Sequence, residues 1–341
     1  MPLSKTILPR LLRRENLTRD EAAWAMTRIV NGELSPVQVA GFAAALRTKG
    51  ETAAEIDGLV SALQASALPV DIPGPVVDIA GTGGDGLGAI NISTMAAVVA
   101  AATGVTVVKH GGRAASSATS GAADLVEHLG VRLDLGPEAA ARVAGAAGIT
   151  FLFGPRFNPG LRHAAAVRRD LGVPTVFNVL GPLINPARPR HQVVGVADAR
   201  MAPLVADVLA ARGSQALVVR GDDGLDKVTT VTTSRVWTVR DGVVAESVLD
   251  PVALGLPRAA PEQLRGGSAA RNAATFVELL DGCGGPVRDV VLLNAAAMLV
   301  AVGAGGVGFG EAVACCGRAV DSGAARATLG RWVEASRREV A

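Results

Sequence analysis

The sequence predicts an α/β protein in which a small N-terminal helical domain precedes a large domain built on a mostly parallel central sheet. Three observations predict this. Residues 1 to about 68 carry helix-start signals and apolar helical faces. Leu68-Pro-Val-Asp-Ile-Pro-Gly-Pro75 is a Pro-rich connector, a domain-boundary signal that places the two domains at 1–72 and 73–341. Beyond it, short β-rich runs alternate with Ala-rich helical stretches, the pattern of a parallel sheet covered on both faces.

The elements follow in order. Thr18-Arg-Asp-Glu21 and Thr52-Ala-Ala-Glu55 read as capping boxes, and Ser35-Pro36 opens a helix whose apolar face includes Val39, Phe42 and Ala43. Strands are expected at 76–80, 105–108, 149–153, 192–197 and 216–219, with helices at 94–103, 122–129, 137–147 and 201–211. Asp241-Gly242 between two β-rich runs marks a hairpin, so the sheet carries an antiparallel piece.

The bulk properties exclude several classes. The chain has 341 residues, is 49% hydrophobic and 19% charged, and has a net charge of +2, which fits a compact enzyme rather than a disordered or polyanion-binding chain. Aromatics are 3% with no Tyr, too few rings for a single-strand stacking platform. Cys283, Cys315 and Cys316 form no disulfide framework or zinc motif. Met1 to Arg14 is polar and basic, unlike a signal peptide, and the longest apolar run, Met95 to Ala102, is too short to span a bilayer. The reducing cytoplasm is the expected compartment.

Two loops carry the chemistry. Val76–Ala80 runs into Gly81-Thr-Gly83-Gly84-Asp85-Gly86, which formally matches a dinucleotide fingerprint. The following helix starts late, however, and the next strand ends in Lys109-His110 where an acidic ribose partner would be needed. Phosphate fits better. Glycines let backbone N–H groups approach an anion, and Ser93 and Thr94 lie at a helix start that favours negative charge. Lys109 can point at the same crevice, and Asp85 suggests a hydroxyl or metal partner. The second loop, Lys109-His-Gly-Gly-Arg-Ala-Ala-Ser116-Ser117-Ala-Thr-Ser120, adds a cation, an Arg and hydroxyls. Together they suit one extended polyanionic ligand.

At these residues the sequence resembles the anthranilate phosphoribosyltransferase family. The resemblance rests on Gly81–Asp85, Asn91–Thr94, Lys109–Gly111, Ser116–Ser117 through Asp124, Arg168–Gly172, Phe177–Pro186 and Gly224–Asp226, in order across about residues 35 to 330. It implies a helical domain hinged to the α/β domain and completed by a helical segment near 163–190. It also implies a homodimer and transfer of 5-phosphoribose from phosphoribosyl pyrophosphate to an aromatic amine or acid, with Mg. By position, Gly81, Gly83, Gly84, Asp85, Asn91, Ser93, Thr94, Lys109 and Ser117 would bind the donor. Gly81, His110, Gly112, Asn158, Arg168 and Pro182 would bind the acceptor, with Arg168 facing its carboxylate. Ser93 and Asp226 would be metal-associated. No acid–base catalyst stands out. Lys109 and Arg168 act by positioning and charge, because an arylamine is already a nucleophile and the leaving pyrophosphate needs neutralising.

Three positions depart from the family pattern. Gly112 stands where Asn is usual, Asn158-Pro-Gly-Leu161 replaces a His-Pro-Ala-Met motif, and Lys227 replaces the Glu of an Asp-Glu metal pair. These leave room for a changed acceptor in specialised metabolism. Two further alternatives are a nucleoside phosphorylase, against which the Arg168–Pro186 segment argues, and a non-catalytic nucleic-acid-binding paralogue, for which local clusters such as Arg188 and Arg190 are meagre.

Overall fold

The computed structural model describes residues 3–113, 120–303 and 306–339. Four helices come first: α1 Ile7–Leu12, α2 Arg19–Val30, α3 Pro36–Lys49 and α4 Ala53–Ser66. Thr18, Ser35 and Thr52 each accept a hydrogen bond from the backbone three residues on, and Glu21, Gln38 and Glu55 return it. The expected caps therefore start α2, α3 and α4, satisfying N–H groups that a helix start leaves unpaired.

The second region alternates strand and helix: β1 Val76–Gly81, α5 Ile92–Ala101, β2 Thr106–Gly111, α6 Ala122–His128, α7 Pro137–Ala147 and β3 Ile149–Phe153. Three short helices follow, α8 Gly154–Phe157, α9 Arg162–Leu171 and α10 Phe177–Leu180, and then β4 His191–Gly195, α11 Met201–Ala211 and β5 Gln215–Gly221. The hairpin β6 Ser234–Arg240 and β7 Val243–Leu249 turns at Asp241 and Gly242, both with positive φ, which matches the right-handed twist of the strands. Helices α12 Ala269–Leu280, α13 Pro286–Val302, α14 Phe309–Asp321 and α15 Ala324–Arg338 complete the chain. The sheet order is β3-β2-β1-β4-β5-β6-β7, parallel from β3 to β5 and antiparallel through β6 and β7. Among the described residues no helix is long and apolar enough to cross a membrane.

Two apolar clusters cover the two faces of the sheet. One joins Ile79, Val107, Phe151 and Val193 to α5 and to the C-terminal helices, with Phe276, Leu293 and Trp332 fully or almost fully buried. The other joins Met26, Phe42, Leu46 and Leu59 of the N-terminal helices to Ala164, Val167 and Phe177. It continues through α11 to Val194, Val218 and Trp237 on the sheet. Ion pairs reinforce this seam: Arg47 with Asp198 at 2.8 Å, Arg212 with Asp57 at 2.5 Å, and Arg200 with buried Glu51.

Inside the bundle, Glu55 is fully buried and accepts from Lys49 Nζ, the Thr52 and Leu17 backbone N–H groups, all at 2.8 Å, and the Thr52 hydroxyl. Lys49→Met leaves this charge with neutral donors only, and should lower stability by about 3 kcal/mol. Urea denaturation monitored by circular dichroism measures it. A midpoint equal to that of the parent would show that the neutral donors suffice.

Candidate active site

Ligands of open α/β sheets gather beyond the carboxyl ends of parallel strands. Here β1, β2 and β4 all end in glycine, with Gly81 level with Gly195. Two of these glycines admit a distant segment. A Cβ on Gly81 would overlap the Asp226 carboxylate, and one on Gly195 would overlap the Asp226 backbone carbonyl. Asp226 thus sits directly under the glycine loop, only 2% exposed, and accepts the Gly83 N–H at 2.7 Å. Its other oxygen accepts Lys227 Nζ. Burial pushes the Asp226 carboxyl pKa up, against the downward pull of Lys227.

The loop itself faces outward. Gly83 and Gly84 are exposed with positive φ, and a Cβ on either would meet nothing within 4 Å. Asp85 accepts the Leu87 N–H at 3.0 Å. Beyond the loop, α5 begins two residues earlier than the sequence suggested, so Ser93 and Thr94 lie within its first turn. Thr94 is buried and its hydroxyl has no hydrogen-bond partner. Asn91, the residue before α5, has its amide engaged. Its nitrogen donates to the Ser120 carbonyl at 2.8 Å, and its oxygen accepts from Ser120 Oγ at 2.9 Å and Asn272 Nδ2 at 2.7 Å.

Lys109 lies deeper than the sequence suggested. It is 2% exposed and donates to the Ile79 carbonyl at 2.8 Å and to the His110 carbonyl at 3.2 Å, so its ammonium is held beneath β1 instead of in the open crevice. Burial lowers its pKa, opposed by Asp78 and assisted by Lys227. Sequence reasoning missed Asp78 and Asn185. Asp78 accepts the His110 N–H at 3.3 Å and Asn185 Nδ2 at 2.8 Å, and Asn185 also donates to the Val108 carbonyl at 2.7 Å. The available signal was a carboxylate inside the otherwise apolar run Val76–Ala80.

On the far side of β2, His110 is buried beside Asn158, whose amide nitrogen lies 3.4 Å from its Nε2. Burial, and next the Lys109 charge, depress the His110 pKa to about 4, leaving a neutral ring at neutral pH. The Gly181 carbonyl is a further partner of the ring, and Pro182 is buried in the same turn, Gly181–Leu183. Asn158 Oδ1 is buried without a partner. Among the described residues nothing lies within 4 Å of a Cβ placed on Gly112. Arg168, near the end of α9, is exposed and pairs with no carboxylate among the described residues, although neighbouring protein lowers its pKa. Its guanidinium lies 5.9 Å from the centre of the Phe177 ring.

Ser116 and Ser117 lie outside the described residues. Among the described residues, none of the site residues expected from sequence lines the cavity of about 1090 Å³ bounded by Arg113, Arg132, Arg156 and Arg337. No group of three or more His, Cys, Asp or Glu that could hold a metal ion occurs among the described residues.

Known proteins match this architecture along its length. The family described as "Glycosyl transferase family, a/b domain" matches residues 73–326, and "Glycosyl transferase family, helical bundle domain" matches 5–67. Anthranilate phosphoribosyltransferase from Streptomyces griseus is 56% identical over 334 residues, covering 97% of this chain and 94% of the relative. That from an Arthrobacter species is 55% identical over 336 residues, with 97% and 95% covered. Among solved structures, the anthranilate phosphoribosyltransferase of Thermus thermophilus superposes with a TM-score of 0.91 at 41% identity, covering 97% of this chain and 99% of that one. The Saccharomyces cerevisiae enzyme in complex with PRPP and Mg gives 0.88 at 29% identity, with 97% of each chain covered. With the helical and α/β parts both matched and full-length relatives above half identity, the chain belongs to the anthranilate phosphoribosyltransferase family of glycosyl transferases.

Proposed function

We propose that this protein transfers 5-phosphoribose from phosphoribosyl pyrophosphate to anthranilate and releases pyrophosphate. The observation that carries the reading is Arg168, an exposed guanidinium set 5.9 Å from the centre of the Phe177 ring that pairs with no carboxylate among the described residues. A guanidinium without a carboxylate partner is available to an anionic ligand, and its planar fork matches a carboxylate. The donor is assigned to Gly81, Gly83, Gly84, Asp85, Ser93, Thr94 and Ser117, with Lys109 supplying charge from beneath. Asn91 is assigned a positioning role, because Ser120 and Asn272 engage its amide. Gly81, His110, Gly112, Asn158, Arg168 and Pro182 are assigned to the acceptor.

The chemistry asks little of acid–base groups. The bond from the anomeric carbon to the pyrophosphate oxygen breaks, the amine lone pair forms the new C–N bond, and the amine proton passes to solvent. Positive charge grows on the ribose while negative charge grows on the leaving group. Neutral His110 adds no cation beside that ribose, Lys109 supplies positive charge from beneath β1, and the N–H groups of Gly84 to Gly86 are assigned to the leaving anion.

Magnesium, present in the yeast complex, prefers hard oxygens and retains several waters. Asp226 is poorly placed to serve it, because it is almost fully buried and the Lys227 ammonium beside it repels a cation. The Ser93 hydroxyl suits an ion that arrives on the donor's phosphates, whose charge that ion would partly neutralise. We further propose a cytoplasmic homodimer. Leu12 and Val37, 75% and 81% exposed on α1 and α3, support an apolar contact surface. A changed acceptor is the second reading, favoured by Gly112, where no side chain of the described residues comes within 4 Å of a Cβ.

Pyrophosphate release with donor, Mg and a panel of aminobenzoates and hydroxybenzoates tests the reading. Release that depends on anthranilate is expected. Release with another acceptor alone would establish the second reading, and none with any acceptor would end both. Arg168→Ala should raise the KM for acceptor roughly ten- to a hundredfold while moving the donor KM little, the range for a lost charged hydrogen bond. An unchanged acceptor KM would place the carboxylate elsewhere.

His110 also makes stability depend on pH. Its folded value of about 4 lies below the ordinary 6.5, so between these the unfolded chain binds more protons. Stability contributed by this group is therefore complete above 6.5 and falls as the pH drops towards 4. His110→Gln should flatten that part of the melting-temperature profile. Profiles of equal slope would show that His110 titrates normally.

A further inference from the structure

We propose that the Lys227 ammonium is a built-in cation that binds the donor's pyrophosphate. The inference rests on the donor reading given above and concerns how the site balances the donor's charge.

The geometry points this way from three directions. First, the ammonium is fixed. Lys227 Nζ pairs with Asp226, whose side chain is 2% exposed, while the Lys227 side chain is 16% exposed. A buried carboxylate holds it tightly, and Asp226 is in turn held by the Gly83 N–H and by close packing against Gly81 and Gly195. Second, the ammonium lies at the loop. Its nitrogen would be 3.0 Å from a Cβ placed on Gly81, and its charge is felt by Lys109. Third, it has capacity to spare. An ammonium carries three N–H donors, and Asp226 is its one hydrogen-bond partner among the described residues. The remaining N–H groups are available to an anion bound at the loop.

The same arrangement disfavours a metal. An ammonium cannot coordinate magnesium and repels it, and it competes for the Asp226 oxygen to which it is bonded. Asp85, the other acidic residue that acts on Asp226, already accepts a backbone N–H, and no acidic cluster completes a shell among the described residues. Lys227 is thus a ligand of the leaving group that needs no recruitment from solution. Donor binding by this protein should then tolerate magnesium depletion better than a site that relies on metal alone.

Isothermal titration of phosphoribosyl pyrophosphate into the full chain, in EDTA and in millimolar magnesium, tests this through binding alone. The parent and Lys227→Arg are expected to bind donor in both conditions. Lys227→Met, which keeps length and loses charge, should bind about ten- to a hundredfold more weakly in EDTA, as for a lost charge-assisted hydrogen bond. Lys227→Glu should bind only with magnesium. Equal donor affinity for the parent and Lys227→Met in EDTA would overturn the proposal, and so would a parent that binds donor only with magnesium. If the parent binds no donor in either buffer, the donor reading itself fails, a distinct outcome. Melting curves without donor check folding. If Lys227→Met unfolds because Asp226 is left unpaired, Asp226→Asn/Lys227→Met removes both charges, and the same loss of metal-independent binding is expected of it.

Discussion

A carboxylate sealed from water is costly unless every lone pair finds a partner, and the active end of this sheet is arranged around that cost at Asp226. Its segment arrives from beyond β5, some 140 residues after the glycine loop it supports, as the Gly83–Asp226 bond shows. Gly81 and Gly195 give it room, because any side chain at either position would collide with it. The Gly83 N–H and the Lys227 ammonium then satisfy its two oxygens. The loop is thereby pinned from below while Gly83 and Gly84 stay open above.

Lys109 extends the same logic across the sheet. Asp78 and Asp226 both pull its pKa upward, and backbone carbonyls receive its protons. Asp78 in turn reaches Asn185 and the His110 backbone, so the donor and acceptor sides share one buried polar chain. Such a chain is stiff because each missing partner would strand a charge. It fixes the strand ends on which both substrates depend.

Much of this was legible in the sequence, and unevenly. Capping residues announced α2, α3 and α4 because a cap is a local bargain between a side chain and nearby N–H groups. Asp241-Gly242 announced the hairpin for an equally local reason. The order of motifs identified the family. The depth of Lys109, the engagement of Asn91 by Asn272 and the role of Asp78 were not legible, since each depends on strands and helices meeting across long stretches of chain. The helices α12 to α15 also lacked distinctive sequence signals. The apolar run Val290–Met298 of α13 is buried all round, so its amphipathic rhythm is faint.

The apolar seam that joins the N-terminal helices to α11 and to β4 and β5 has an evolutionary consequence. Two separately recognised modules, one helical and one α/β, here share a single core and a rank of ion pairs through Arg47, Arg200 and Arg212. Residues such as Leu46, Leu59, Leu209 and Val218 must change together or not at all. Recombination that exchanged the helical module between distant relatives would inherit a mismatched seam, and viable chimeras would have to carry α11 across with it.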